Sequence, residues 1–135
     1  MEYGMRLLVL LLSLLFIPAF AVAQEEGEAD ESGIEYLEMN PKFSVNLSEP
    51  KKYLMIHVQL LIEGVEAVAK VKKHMPALRH ELIMLYSGRQ SDELQTMEQH
   101  EALRKETVVV IRKKLDKLEN SEGFQDAFFT DFLVD

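Results

Sequence analysis

The sequence predicts an α+β fold: a small antiparallel sheet of about three to four strands, packed by two to three helices. Three stretches lead to that reading. Tyr53–Glu63, YLMIHVQLLIE, alternates without a break. Leu54, Ile56, Val58, Leu60 and Ile62 fall on one side of an extended chain, and Tyr53, Met55, His57, Gln59, Leu61 and Glu63 on the other. Side chains of a strand alternate faces, so this is a strand with one continuous apolar face and one mixed face. After Gly64 the apolar period lengthens to that of a helix, and it stays so to about Leu118. Phe124–Val134, FQDAFFTDFLV, then returns to strand character.

Each element follows from its own residues. In Ile34–Leu47, an extended segment, Phe43, Val45 and Leu47 alternate with Lys42, Ser44 and Asn46, and Pro41 suits an edge position. Ser48–Lys52, SEPKK, is a turn joining this strand to Tyr53–Glu63 as a hairpin. Asn46-Leu47-Ser48 has the form of a glycosylation sequon and is read as a strand end entering the turn. Val65, Val68, Val71 and Met75 recur at helical spacing, with Glu66, Lys70 and Lys73 outside. Pro76 ends that helix and opens the next, whose stripe is Leu78, Leu82, Leu85 and Tyr86, stopped by Gly88. Ser91 caps a short turn carrying Leu94. Thr96-Met97-Glu98-Gln99 is a capping box opening the longest helix, with Leu103, Thr107, Val110, Ile111 and Leu118 along one side. In the last strand the alternation places Phe124, Phe128, Phe132 and Val134 on one face and Phe129 and Leu133 on the other. One of these faces joins the core; the other needs a further cover or a partner.

The N-terminal quarter is of another kind. Arg6 precedes the apolar run Leu7–Ile17, Pro18 breaks the run, and Ala21-Val22-Ala23 has the small-x-small pattern of a signal cleavage site. Residues 1–23 are therefore read as a secretory signal peptide cleaved after Ala23, or as a short uncleaved membrane anchor. A spanning helix takes about 20 apolar residues. Either way, Arg6 holds the N-terminus inside, and the rest of the chain is expected outside the cytoplasmic membrane. Residues 24–33, QEEGEADESG, form an acidic linker without a large apolar residue, expected to be disordered. The folded domain is expected over residues 34–135.

Composition removes several classes of function. The chain has 135 residues and a formal net charge of -8. Phosphate contacts need clustered Lys and Arg, so no nucleic-acid partner is expected. The local clusters Lys70/Lys72/Lys73 and Arg112/Lys113/Lys114 read as solvated helix faces. With no cysteine there is no disulfide, thiolate nucleophile, Cys-ligated zinc or lipoprotein anchor. His80-Glu81-Leu82-Ile83-Met84 starts like a zinc-protease motif but has Met84 where the second His belongs. There is no Gly-rich phosphate loop and no nucleophile elbow. His57, His74, His80 and His100 are read as surface or capping residues, and the scattered Met39, Met55, Met75, Met84 and Met97 as core filling. No enzyme activity, cofactor or metal is expected.

Five pieces in order carry a family resemblance: Met39–Leu47, MNPKFSVNL; Tyr53–Glu63; Met75–Leu82, MPALRHEL; Leu85–Arg104, LYSGRQSDELQTMEQHEALR; and Phe128–Val134, FFTDFLV. Together they span nearly all of residues 34–135, and the chain resembles the flagellar basal-body-associated protein FliL family. The resemblance implies a non-enzymatic periplasmic domain near the inner membrane, with a stomatin/prohibitin-like fold. It implies association with the flagellar stator proteins, self-association into a ring, and support of torque, swimming or swarming. The surfaces expected for self-association or a partner are the mixed strand face with Tyr53, Met55 and His57, and the face of the last strand with Phe129 and Leu133. The family's spanning helix is longer than the short apolar segment here. A soluble periplasmic binding module or chaperone-like paralogue therefore stands as the second reading.

Overall fold

The structure, a computed structural model, describes residues 33–135. Strands β1 (Ile34–Asn46) and β2 (Tyr53–Glu63) form a hairpin, followed by helices α1 (Val65–Lys73) and α2 (Met75–Tyr86). A 3₁₀ turn (Ser91–Leu94), the long helix α3 (Met97–Leu118) and strand β3 (Phe124–Val134) complete the domain. The three strands make one antiparallel sheet in the order β1-β2-β3, with the alternating strand in the centre. The α+β class and the antiparallel sheet are as predicted. The sheet has three strands, the lower figure of the expectation.

The core lies between one face of this sheet and the helices. Leu54, Ile56, Val58, Leu60 and Ile62 are all 0% exposed. Burial of five such side chains gives roughly 10 kcal/mol of gross stabilisation before chain entropy is counted. Leu78, Leu82 and Tyr86 of α2 and Leu103, Ile111 and Leu115 of α3 cover them. The buried stripe of α3 runs Leu103, Thr107, Ile111, Leu115, a strict four-residue spacing. Leu118, expected on this stripe, is exposed; the helix ends at that residue and Leu115 has already filled the place. Val65, expected inside α1, is 82% exposed because it is the first helical residue, outside the Ala67/Val68/Val71 face.

Among the described residues, the one buried polar side chain, Thr107, is provided for. The Thr107 hydroxyl donates to the Leu103 carbonyl at 2.9 Å, and so receives the Tyr86 hydroxyl at 2.7 Å. Burial pushes the Tyr86 phenol well above its ordinary pKa, so it stays neutral. Its ring meets Phe43 and Phe129 edge-on, at 5.6 and 6.2 Å. The capping box forms as predicted: Gln99 N–H donates to Thr96 Oγ1 at 3.1 Å, and Thr96 N–H to Gln99 Oε1 at 3.0 Å.

Both outer strands are irregular, with different consequences. In β1 the register slips between Met39 and Phe43, where four residues oppose the two-residue step from Val58 to Ile56. Two extra residues leave the alternation intact, so Leu37, Met39, Phe43 and Val45 all turn to the core. In β3 the slips lie opposite His57/Val58 and Leu61/Ile62, and each inserts one residue, Thr130 and Gln125. A single inserted residue exchanges the faces of everything after it. The core face of β3 is therefore Phe124, Ala127, Phe129, Phe132 and Val134.

Three arginines fasten the helices to these edges in one way. Arg79 of α2 lies 4.2 Å from the Phe43 ring and donates to the carbonyls of Pro41 (2.7 Å) and Met39 (3.4 Å). Arg104 of α3 lies 5.6 Å from the Phe128 ring and donates to Ala127 O (2.9 Å) and Asp126 Oδ1 (2.6 Å). Arg112 lies 5.1 Å from the Phe124 ring and reaches Gln125 O at 3.5 Å. Each spreads a planar cation over an aromatic face and satisfies edge carbonyls that β2 cannot reach.

The entry into β3 is a tight backbone crossing. Glu63 N–H donates to Gly123 O at 2.7 Å, and Gly123 has φ +86°. A Cβ there would stand 2.3 Å from Ala67 Cβ and 2.6 Å from Glu63 O. Gly123→Ala is expected to cost about 2 kcal/mol or more, from left-handed strain and collision together. Thermal unfolding of the variant checks this, since an unchanged Tm would mean that the crossing relaxes freely.

Candidate interaction surfaces

The helices cover one face of the sheet and leave the other open. Its side chains come in cross-strand rows set by the register. Tyr36, Leu61 and Asp126 make one row; Glu38, Gln59 and Phe128 the next. His57 and Asp131 share the middle row, and Ser44, Met55 and Leu133 the one after it. Tyr53 stands at the end, opposite Asn46. Tyr36, Tyr53 and Leu133 are 58%, 45% and 50% exposed. These are large apolar groups held on a rigid sheet.

The middle row is polar. Lys42 Nζ meets Asp131 Oδ2 at 2.5 Å, and His57 Nε2 stands 3.1 Å from Asn40 Oδ1. The face therefore has two apolar bands, Tyr36/Leu61/Phe128 (rings of Tyr36 and Phe128 6.5 Å apart) and Met55/Leu133/Tyr53, with a charged strip between them. Lys42 holds the Asp131 carboxyl below its ordinary range, the amide of Phe132 adding a smaller effect.

Four of the five residues expected on a partner surface, Tyr53, Met55, His57 and Leu133, share this open face. Phe129 does not. It lies across the sheet, packed against the core beside Tyr86 and Phe132 (5.7 Å between rings), because the inserted Thr130 separates its face from that of Leu133. Phe128, expected on the face of Phe124 and Phe132, takes the open-face position instead. Tyr36 follows from the alternation of β1 read backwards from Phe43; Phe128 had no sequence signal, because a bulge leaves none. Ala21 and Ala23 lie outside the described residues.

A second surface is a groove of about 920 Å³ between the N-terminal half of α3 and β3. Phe128, Phe129, Phe132 and Ala102 line it, with Met97, 81% exposed, at its mouth. His100 stacks on Phe132 at 3.8 Å and donates from Nε2 to Leu94 O at 2.8 Å. Arg104 is held by Glu101 (2.6 and 2.8 Å) and Asp126, which raises the pKa of the guanidinium. The remaining histidines are apart: His74 Nε2 meets Glu119 Oε2 at 2.6 Å between α1 and the end of α3, and His80 is exposed. Among the described residues, no three His, Asp or Glu side chains are placed to hold a metal ion, and no helix is long and apolar enough to cross a membrane.

The fold and its surfaces define a small α+β domain with exposed apolar bands on the uncovered face of its sheet. Residues 36–134 match the family model described as "Flagellar basal body-associated protein FliL". A "Flagellar protein FliL" of Aquifex aeolicus (strain VF5) is 29% identical over 106 residues, covering 77% of this chain and 63% of the relative. The chain belongs to the FliL family. It spans about 63% of the length of that relative.

Four exposed carboxylates give the domain an acid-sensitive margin. Glu49, Glu101, Glu119 and Asp131 all lie below their ordinary pKa, through Ser91 N–H, Arg104, His74 and Lys42 respectively as the largest causes. A carboxyl lowered by folding binds its proton more readily when unfolded. Its contribution is complete above the ordinary value, 4.5 for Glu and 3.8 for Asp, and is lost as pH falls through the lowered one. Tm is expected to hold from neutral pH to about 5 and to decline below it. Asp131→Asn should soften that decline, and a variant with an unchanged acid limb would remove Asp131 from the account.

Proposed function

We propose that this chain is a non-enzymatic accessory of the flagellar motor, supporting the stator from the periplasmic side of the inner membrane and thereby torque, swimming or swarming. The observation that carries this is family membership over residues 36–134, in a domain whose sheet leaves an apolar face open. In this reading residues 1–23 deliver the domain to the periplasm, as a cleaved signal or as a short anchor, and the acidic linker of residues 24–33 spaces it from the membrane. A stomatin/prohibitin-like ring of copies brings the open faces against one another or against stator proteins. Exposed aromatic and aliphatic groups on a rigid sheet suit this role, because ordering them on contact costs little chain entropy.

The test in cells is a clean deletion, with flagella counted in the same cells whose motility is measured. Normal filament number with weakened swimming or swarming is the expected result. Unchanged motility would remove the motor role, and loss of the filaments would place the chain in assembly instead. In the protein, Leu133→Asp is expected to keep Tm within a few degrees while weakening self-association and motility. Phe129→Asp should lower Tm sharply, since it buries a charge against Tyr86 and Phe132. Sedimentation and thermal melts on both variants separate the two effects.

The groove beside β3 favours a second reading, a soluble periplasmic binding module or chaperone-like paralogue. That reading expects a monomer and a motility phenotype absent from the deletion strain.

A further inference from the structure

The edge of β3 is closed over its first half and open over its second. Arg112 and Arg104 occupy the carbonyls of Gln125 and Ala127, and Asp126 Oδ1 accepts the Ala127 N–H at 2.9 Å. At the other end, Asp135 exchanges both backbone bonds with Tyr53, at 2.9 and 3.0 Å. Antiparallel pairing alternates between residues that bond to the neighbouring strand and residues that point away from it. Counted from Asp135 through the register, Leu133 and Asp131 face β2, while Val134, Phe132 and Phe129 face outward. The carbonyls of these three and the amides of Phe129 and Val134 have no backbone partner among the described residues. Beside this open stretch lies the groove, with Phe129 and Phe132 on its floor.

The rim above the groove is charged at both ends. Glu98 and Lys105 stand on the same side of α3, seven residues or about 10.5 Å apart along the axis. Among the described residues neither takes part in a salt bridge or a side-chain hydrogen bond, although Lys105 adds a smaller favourable field at Glu101, which is itself bound to Arg104. We infer that the open half of the β3 edge and its groove bind an extended segment of a partner protein as an added fourth strand. That segment carries an apolar residue over Phe129 and Phe132, flanked by one basic and one acidic residue. In a strand, same-face residues four apart are separated by about 13 Å, which long side chains fit to the Glu98–Lys105 spacing. The added backbone satisfies the outward edge groups, the apolar side chain fills the groove, and the two rim charges of opposite sign set the direction of the strand. The inference stands whether or not the partner belongs to a motor.

Two blocked, fluorescein-labelled peptides test it on the full chain in detergent solution: Thr-Lys-Thr-Val-Thr-Glu-Thr and its charge-reversed form, Thr-Glu-Thr-Val-Thr-Lys-Thr. Fluorescence anisotropy is expected to show binding with a preference of about fivefold for one of the two. The double variant E98K/K105E changes only exposed side chains, so the fold should survive, and it should invert the preference. Hydrogen exchange at the Phe129 and Val134 amides should slow when the preferred peptide is bound. Equal affinity for both peptides, a preference that does not invert, or no binding to a folded protein would each overturn the inference. So would concentration-dependent protection of those amides without peptide, which would assign the edge to a second copy of the chain.

Discussion

The alternation of β2 is the constraint on which the domain rests. Its five core-facing residues are fully removed from water only because β1 and β3 flank it and the helices lie across it. Were β2 to slip by one residue, those five side chains would exchange places with Tyr53, Met55, His57, Gln59 and Leu61, and a polar row would enter the core. The register of the other strands is therefore dictated from the centre, and their irregularities are accommodations to it. β1 absorbs two residues around Pro41, and β3 absorbs Gln125 and Thr130 singly.

The arginine staples follow from that arrangement. A three-stranded sheet has two edges, and every outward carbonyl needs a partner or water. Arg79 closes the irregular part of β1, and Arg104 and Arg112 close the start of β3. Each is long enough to leave its helix, cross a phenylalanine ring and still reach the backbone. Lysine could supply the charge but not the flat surface or the fork. The helical layer is thus joined to the sheet by dispersion through the core and by directional bonds at the rim.

The sequence revealed the order of elements because period and punctuation are local properties. Gly64, Pro76, Gly88 and the Thr96–Gln99 box mark boundaries by mechanisms that act within a turn of chain. It placed Tyr53, Met55 and His57 on the open face because β2 is regular. It misplaced Phe128 and Phe129 because the residues that decide their faces, Gln125 and Thr130, are inserted to fit β2, and nothing in FQDAFFTDFLV marks them as extra. The end effects in helices have the same origin. Val65 and Leu118 have the right spacing, but they sit at termini where no neighbouring element reaches.

The unequal edges of the sheet bear on how the protein behaves when crowded. A long flat edge is a template for sheet growth, copy upon copy, and such growth ends in aggregates. Here β1 carries Pro41, Lys42 and the Arg79 clamp along its middle, while β3 is twisted by two bulges and is open only over its last residues. One accessible half-edge facing a guarded one cannot propagate an endless ribbon. A domain held at high local concentration can in this way keep an accessible edge without the hazard of fibre formation.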